Sequence, residues 1–458
     1  MDTVLLNAAA RHGAWSTPRA FAGVAPPTVA AFHALEEFRQ HGPALDALNL
    51  VARRPSPFET LEYLETFLGH DEHAVTGQAP LLLLLLDAGG VVGWVALRIL
   101  RERVLGLATS RVTLLATHDV DRPGLVCRAE DEGRCAEAVW RHLLEREGAD
   151  AIEFMAQDEH AALLPRGRAF PGWRVRTFES IPNSTIPLPP TTLAEWFHGL
   201  GKKHRTNVSR LGRRLLAAGS VELLTARHPD DLDAFLDLYL DVERRSWKGP
   251  AAAGIGRHPA RVALFREQCR PGRSVAPVIH LVALDGVPVA GMFGVEFAGT
   301  LFAREIAFDE RFEGLAPGHL LMVLAIGDAM ARRLTAVNML GYFGYYKGRW
   351  GAVVTPTRGL QLLRRWSPPW VAALVQSVLR RIRPGPAAAP GETFNPARRE
   401  AEGGEATSAG GLPARLVERA HLEEALRRLP AGRVQRLSGA ALEAALPFRA
   451  STEPGGPP

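Results

Sequence analysis

The sequence is poor in cysteine: its 458 residues include only Cys127, Cys135 and Cys269. An odd number without Cys-x-x-Cys spacing excludes a disulfide framework and a thiolate zinc site. We expect all three to be inert thiols. His70 and His73 flank two acidic residues, but a pair at this spacing is typical of an exposed polar loop. We therefore predict no metal site.

Long apolar runs are also missing, since the longest aliphatic stretch, Leu81 to Leu86, has six residues. A membrane-spanning helix needs about 20, so none is predicted. The first fifteen residues lack the basic and apolar regions of a secretory signal, and we expect a cytoplasmic protein. There is no Walker loop and no Gly-x-Ser-x-Gly motif, which argues against nucleotide and serine hydrolases. A net charge of +5 is too small to imply bulk binding of DNA.

Lysine is scarce, because only four of the 54 basic residues are Lys: Lys202, Lys203, Lys248 and Lys347. A chain that uses Arg almost everywhere can keep Lys where a compact ammonium is needed, although drift in codon usage gives the same pattern. Tyrosine is equally scarce, and three of the five tyrosines lie in the few residues before Lys347. The segment around Lys347 thus concentrates two rare polar residue types.

What is present is a repeated pattern. Apolar runs separated by a Gly-containing turn begin at Pro80 and again at Pro277, and Asp87 and Gly93 align with Asp285 and Gly291. Such segments predict buried β-hairpins, and a repeat this long indicates two tandem domains. We predict domains at 1–185 and 186–383, joined through a Pro-rich linker, IPNSTIPLPP. A disordered linker at 384–412 and a small helical or disordered appendix at 413–458 follow.

The second hairpin is followed by a predicted strand at Thr300 to Phe308, a loop with Gly314, Pro317 and Gly318, a helix, and the strand AVNML. This order predicts an α/β (α+β) fold with mixed sheets flanked by helices. Pro317 suits the first turn of a helix, and Gly318 lets a ligand approach the backbone. The amides of a helix N-terminus can bind a pyrophosphate.

This layout resembles the GNAT acyltransferase superfamily. Arg311, Gly314 and Ala316 can be aligned with its R/Q-x-x-G-x-G/A motif. The chain looks like the CelD/BcsL-type subgroup related to cellulose biosynthesis and, more distantly, like the Fem peptidyl transferases. The segments that carry this resemblance, together with the hairpin and the Pro-Gly loop, cover most of residues 56 to 366 and are KKHRTNVSRLGRRL, LYLDVERRSWKG and GYYKGRWG. The resemblance implies two tandem GNAT-like domains.

The resemblance also implies roles for individual residues. The coenzyme A site would comprise Gly314, Pro317, Gly318 and His319. The substrate-binding residues would be Lys203, Arg205, Trp247, Lys248, Tyr345 and Trp350, although a solvated helix face and plain packing remain open for the first three. The catalytic residues would be Lys347, which stabilises the oxyanion, Glu305 as general base, and Tyr346. Asp309 and Glu296 are alternative bases, and a structural salt bridge is the alternative for Lys347.

From this resemblance we expect transfer of an acyl group from acyl-CoA to a hydroxyl or amine of a polysaccharide or cell-envelope precursor. Acetyl is the first candidate for the acyl group. Acetyl-CoA would be a co-substrate, and no permanently bound cofactor is predicted. Fem-like transfer from charged tRNA and an inactive scaffold of a biosynthetic complex are the alternatives. The stretch Pro368 to Arg383 has an apolar face and a basic end. It predicts a packed helix or a peripheral contact with a membrane.

Overall fold

A computed structural model describes residues 25–70, 78–115, 120–165, 167–248, 254–270, 274–341, 345–382, 412–428 and 433–447. The N-terminal residues considered for a signal, most of the predicted linker at 384–412, and His73 lie outside the described residues. The domain bounds given above remain predictions. The described elements show how the two halves of the chain are connected.

The strands are β1 (Thr28–Phe32), β2 (Gln78–Asp87), β3 (Gly90–Val104), β4 (Leu107–Leu114), β5 (Val126–Cys127), β6 (Ala151–Asp158), β7 (Trp173–Glu179), β8 (Asn183–Pro187), β9 (Val221–Ala226), β10 (Ala276–Leu284), β11 (Val287–Phe297), β12 (Thr300–Phe308), β13 (Ala336–Gly341), β14 (Val353–Thr355), β15 (Thr357–Arg364) and β16 (Gln435–Ser438).

The helices are α1 (Leu35–Arg39), α2 (Gly42–Val51), α3 (Leu61–Gly69), α4 (Glu132–Glu145), α5 (Leu193–Gly199), α6 (Lys202–Ala217), α7 (Pro229–Arg244), α8 (Pro259–Gln268), α9 (Pro317–Ala331), α10 (Tyr345–Arg349), α11 (Pro368–Ile382), α12 (Leu412–Arg428) and α13 (Gly439–Ala445).

The strands form two mixed sheets, which confirms the predicted fold class. The first has the order β1-β2-β3-β4-β6-β15-β7, with β5 on β3, and the second has the order β14-β8-β13-β12-β11-β10-β9-β16. Both predicted hairpins are present as the antiparallel pairs β2–β3 and β10–β11. In each sheet the strand that follows the hairpin pairs in parallel with the strand that follows the next helix. These parallel pairs are β4–β6 and β12–β13.

The repeated glycines have a common packing role. A side chain at Gly93 would approach Cys135 Sγ to 3.3 Å, and one at Gly291 would approach Tyr239 to 2.9 Å. Cys135 lies on α4 and Tyr239 on α7, so each glycine lies where a helix packs closely on its sheet. Strand β11 is buried along its whole length because α7 and α9 both contact it. This explains why its sequence is apolar without alternation.

The two halves exchange strands, which the sequence analysis did not predict. Strand β8, taken from the presumed linker, pairs with β13 in the second sheet. Strand β15, which lies in the range given to the second domain, pairs with β6 and β7 in the first sheet. One hydrophobic cluster also contains residues of both halves, and the rings of Phe58 and Phe302 lie 5.9 Å apart. The exchange and the shared cluster hold the two sheets together.

The C-terminal segment contains the two helices α12 and α13 and, between them, a strand that the sequence analysis did not predict. Strand β16 adds to the edge of the second sheet by pairing with β9. Leu422 and Leu442 on the flanking helices are each only 1% exposed. The apolar residues of these two helices therefore cover this sheet. In the sequence, only turn residues marked the place of the strand between them. Within the part of the chain that the structure describes, no helix is long and apolar enough to cross a bilayer.

Candidate active site

The parallel strands β12 and β13 separate after a short ladder. Their register covers three pairs, from Thr300 opposite Ala336 to Phe302 opposite Asn338. Beyond this point β12 continues to Phe308 and β13 to Gly341, so a gap opens between two neighbouring strands of the second sheet. The unpaired backbone along such a gap can bind an extended ligand that carries amide groups.

The gap opens into a cavity of about 1080 Å³ that lies between the two sheets. This volume is slightly above the usual range of about 300 to 1,000 Å³ for sites that bind small molecules and cofactors. The first half of the chain contributes side chains from one face of β3, β4 and β6, such as Arg98, Thr113 and Met155. The second half contributes β12, the end of β13, and the first turns of α9 and α10. Both halves are thus needed to form the cavity.

The structure brings most of the predicted site residues together. Those that line the cavity are Trp247, Lys248, Glu305, Gly318, His319, Tyr346, Lys347 and Trp350. Four others, Lys203, Arg205, Gly314 and Pro317, are not among its lining residues. The side chain of Tyr345 lies outside the described part of the structure. On α6, Lys203 is exposed and Arg205 donates to the carbonyl of His198, so this helix directs other side chains inward.

Lys347 lies at the edge of the gap and is only 4% exposed. Its Nζ donates to the carbonyl oxygens of Met339 and Gly341, both at 2.7 Å, and to that of Leu340 at 3.4 Å. Burial lowers the pKa of Lys347 to about 8, and the carboxylate of Asp121 partly offsets this effect. An ammonium has three donors, so the long contact to Leu340 marks the hydrogen that is most readily given to another acceptor.

Glu305 is held between two cations. Its carboxylate accepts a hydrogen bond from Arg261 at 3.0 Å and another from Lys248. To act as a base toward a substrate, Glu305 must exchange one of these partners. The predicted substrate-binding residue Lys248 is thereby placed beside the predicted base. The two residues form a single unit on the wall of the cavity.

The two alternative bases are engaged away from the cavity. Glu296 accepts hydrogen bonds from Arg332 at 2.8 Å and from Arg227 at 3.3 Å, and it is not a lining residue. Asp309 is completely buried. Burial tends to raise its pKa, but hydrogen bonds from Arg311 and Arg245 outweigh this effect and hold the pKa of Asp309 below its usual value. Arg311 is thus paired with Asp309 and does not face the cavity.

Tyr346 combines exposure of the residue with desolvation of its phenol. The residue is 42% exposed. Burial of the titrating group nevertheless raises the pKa of Tyr346 to about 12. The phenol is therefore protonated at neutral pH. It can act as a hydrogen-bond donor or as a proton donor to a stronger base.

A histidine that the sequence analysis missed lies behind the cavity wall. His204 is 7% exposed, its ring is 4.7 Å from Trp350 and 5.8 Å from His319, and neither of its ring nitrogens has a hydrogen-bond partner among the described residues. Burial lowers the pKa of His204 to about 4 and also lowers that of His319. The helical spacing of the buried residues His204, Val208 and Leu215 was the available signal.

Replacing His204 by phenylalanine is expected to leave the free energy of unfolding unchanged or to raise it by about 1 to 3 kcal/mol, since two unpaired buried nitrogens are removed and the ring contacts are kept. His204→Ala should lower the free energy by about 3 kcal/mol because the contact with Trp350 is lost. Since the folded pKa is depressed, wild type should also lose stability relative to His204→Phe as pH falls from 6.5 to about 4. Chemical denaturation at several pH values measures both effects. Equal losses for the two variants would show that the nitrogens are bonded.

A buried polar network joins the two halves at the cavity. Oδ2 of Asp121 accepts hydrogen bonds from Asn183 at 2.9 Å, Asn338 at 3.3 Å and Arg122 at 3.2 Å. Asn183 also donates to Asn338 at 2.9 Å. Asp121 lies in the first half of the chain, in the connection between β4 and β5, whereas the two asparagines lie on β8 and β13. The network therefore fixes the strands that carry the Lys347 site against the first half of the chain.

The comparison with protein families gives a match over the part of the chain that forms this site. Residues 202–348 match the family described as acetyltransferase (GNAT) domain. The match runs from α6 to α10 and includes the gap, the first turn of α9 and Lys347. The protein is an acyltransferase. No curated protein sequence matches this acyltransferase.

Solved structures show similarity over most of the acyltransferase chain. A crystal structure of FemX is 11% identical, with a TM-score of 0.47, and the match covers 72% of this chain and 96% of that one. A tandem GNAT protein from the clavulanic acid biosynthesis pathway is 15% identical, with a TM-score of 0.39, and the match covers 73% of this chain and 98% of that one.

The three cysteines of the acyltransferase are free and buried. Burial raises the pKa of Cys269 to about 12, with a further contribution from Asp233. Such thiols are poor nucleophiles. Acyl transfer through a cysteine thioester therefore has no support from these side chains.

Proposed function

We propose that this acyltransferase moves an acyl group, acetyl in the first instance, from acyl-CoA to a hydroxyl or amine of a polysaccharide or cell-envelope precursor. The observation that carries the proposal is the gap between β12 and β13, which opens into the cavity beside the first turn of α9 and the ammonium of Lys347. We further propose that the chain is of the CelD/BcsL type, that its two halves are tandem GNAT-like domains, and that it works in the cytoplasm.

The donor site would use the gap and the helix beside it. The edge of β12 beyond Phe302 is available to the amide groups of an extended arm such as pantetheine. Gly318 and His319 line the cavity in the first turn of α9, where the Gly318 amide and the helix dipole favour an anion such as a pyrophosphate. The amide of His319 donates to the carbonyl of Ala316 at 3.0 Å. Ala316, directly before this helix, has a left-handed backbone with φ of 48°. Gly314 and Pro317 support this turn without facing the cavity.

The acceptor would enter from the side of the first half. Arg98, Arg111 and Arg122 line that part of the cavity, together with the acidic Glu153 and Asp121. Trp247 and Trp350 add aromatic faces in the second half, on which a sugar ring can stack. A wall with both charges and aromatic faces suits a polar, ring-containing acceptor better than a purely apolar one. Lys203 and Arg205 lie outside this cavity, and any contact with the donor phosphates would be on its outer rim.

The chemistry would proceed as a direct attack. The acceptor oxygen or nitrogen attacks the thioester carbonyl, its proton passes to Glu305, and the negative charge on the carbonyl oxygen is stabilised by Lys347. The carbon–sulfur bond then breaks, and the departing thiolate takes a proton from Tyr346. Tyr346 then regains a proton from solvent and Glu305 releases its proton to solvent, which restores both side chains for the next turnover. A protonated phenol and a buried ammonium are the forms that these two steps require.

Replacing Gly318 by valine is expected to raise the dissociation constant for acetyl-CoA by about tenfold or more, because the added side chain blocks the approach to the Gly318 amide at the start of α9. Only Phe308, at 3.7 Å, lies near a side chain at this position, so the fold should tolerate it. Gly314→Val is the matched control. A Cβ at position 314 would meet no atom within 4 Å apart from its neighbours along the chain, and the position does not line the cavity, so the constant should change by less than about twofold.

Isothermal titration calorimetry of the purified wild-type chain and of both variants, with acetyl-CoA and with coenzyme A, measures the dissociation constants. Equal losses for Gly318→Val and Gly314→Val would contradict the assignment of the donor to the first turn of α9. If the wild-type chain binds neither ligand at millimolar concentration, acyl-CoA is not the donor. The proposal would then be replaced by an aminoacyl-tRNA donor or by an inactive scaffold.

A further inference from the structure

Helix α11 presents an apolar face to solvent. One side of the helix contacts β15, β3 and β4 of the first sheet. The other side exposes four large apolar residues: Leu374 at 42%, Val375 at 47%, Val378 at 46% and Leu379 at 55%. The spacing of these residues places them together on one helical face. The outer face of a surface helix in a soluble protein is normally polar, so this face needs a partner.

One tryptophan lies just before this helix and another in its first turn. Trp366 is 79% exposed, which is the highest value among the exposed large apolar residues that the structure describes, and its ring is 4.9 Å from that of Trp370. An indole has an apolar body and a polar N–H group, and it is favoured where hydrocarbon meets water. A nearly free indole beside an apolar helical face is a typical feature of helices that lie on a membrane surface.

The charge around α11 has one sign. No acidic residue occurs between Asp328 and Glu392. The residues that flank or end the helix include five arginines: Arg364, Arg365, Arg380, Arg381 and Arg383. Basic residues beside an apolar helical face favour a surface that carries negative charge. The sequence elsewhere mixes both signs, so this separation is a local feature of the segment.

We propose that α11 and Trp366 form a membrane-binding face that lies in the plane of an anionic lipid bilayer. The helix has 15 residues, or about 22 Å at 1.5 Å per residue, so it lies on the surface and does not cross it. The apolar side chains would enter the boundary between headgroups and acyl chains while the arginines contact lipid phosphates. This inference does not depend on the identity of the acyl donor or acceptor.

Sedimentation of the full chain with phospholipid vesicles tests the proposal. We expect binding to vesicles of phosphatidylcholine with 30% phosphatidylglycerol, much weaker binding to pure phosphatidylcholine, and release as salt increases. The double variant Val375→Gln, Leu379→Gln should bind anionic vesicles about tenfold more weakly because two apolar anchors are lost. Gln376→Glu, at an exposed position of the same helix, is the matched control and should change binding by less than about threefold.

Three results would overturn the proposal. The first is the absence of binding to anionic vesicles by the wild-type chain, and the second is equal binding by wild type and the double variant. The third is a change in oligomeric state, measured by sedimentation velocity without lipid, from a wild-type dimer to a monomeric double variant. That result would assign the face to a second copy of this chain. Circular dichroism of each variant confirms that the helix is retained, since all the substituted side chains are exposed.

Discussion

Lys347→Met should lower turnover by roughly 10²- to 10³-fold, which is the usual effect of removing one group that stabilises an oxyanion. The ammonium is buried, and two carbonyls of β13 hold it at 2.7 Å at the mouth of the gap. Its position is therefore set before the substrate arrives, and it needs to exchange only the 3.4 Å contact with Leu340. Steady-state kinetics with acetyl-CoA and an acceptor identified by screening measure the effect. Lys202→Met, at an exposed position of α6, is the matched control and should retain activity within about twofold.

The pH dependence distinguishes a catalytic ammonium from a purely structural one. Because the pKa of Lys347 is about 8, activity that needs the charged form should fall as pH rises through this value. Lys347→Met should lack this alkaline decline in its residual activity. If the variant keeps wild-type turnover, or if its residual profile declines in the same way, Lys347 does not act on the oxyanion.

Stability gives an independent readout of the same side chain. The folded pKa lies below the unfolded value of about 10.5, so the unfolded chain binds more protons between these values and wild-type stability rises with pH across that interval. The wild-type chain should gain up to about 3 kcal/mol relative to Lys347→Met between pH 8 and 10.5. Chemical denaturation of both proteins at several alkaline pH values checks the sign.

Asp121→Ala should lower the free energy of unfolding by about 3 to 5 kcal/mol, because it removes the shared acceptor of a buried network that joins the two halves of the chain. Asn183, Asn338 and Arg122 all donate to Oδ2 of this carboxylate. Urea denaturation measures the loss. Asp233→Ala is the matched control: this aspartate is 62% exposed and pairs with Arg266 on the surface, so the change should stay below about 1 kcal/mol. Similar losses for the two variants would contradict a stabilising role for the network.

Asp121→Asn separates charge from hydrogen bonding. The amide keeps a carbonyl acceptor for the network, so stability should fall less than in Asp121→Ala. The negative charge that raises the pKa of Lys347 is lost, however. The alkaline limb of the activity profile should therefore move to lower pH than in wild type. An unchanged profile would show that Asp121 acts on stability alone.

Local patterns predicted the elements well. Both hairpins, the helix that begins at Pro317 and the strand at Ala336 follow from apolar runs, turn residues and helical spacing, all of which lie within short windows of the chain. The concentration of rare residues around Lys347 also pointed to a segment that lines the cavity. These features could be predicted because each depends on neighbours in the sequence.

The site itself was predicted less completely. Lys203 and Arg205 attracted attention through their charge, but the periodicity of α6 turns His204 inward between them. Glu305 was predicted from its place on the strand before the Pro-Gly loop, whereas its pairing with Lys248 and Arg261 joins segments more than 40 residues away. Helical spacing could have identified His204. No local pattern could have identified the partners of Glu305.

The sequence by itself determined two repeated hairpins, the helices that cover them, and the helical turn that begins at Pro317. Only the tertiary structure decided that β8 and β15 are exchanged between the sheets, that β12 and β13 separate to open a cavity, and that Asp121 links the halves. The reason is physical. Side-chain periodicity specifies which face of an element is buried, but strands distant in the chain pair according to the packing of the whole molecule.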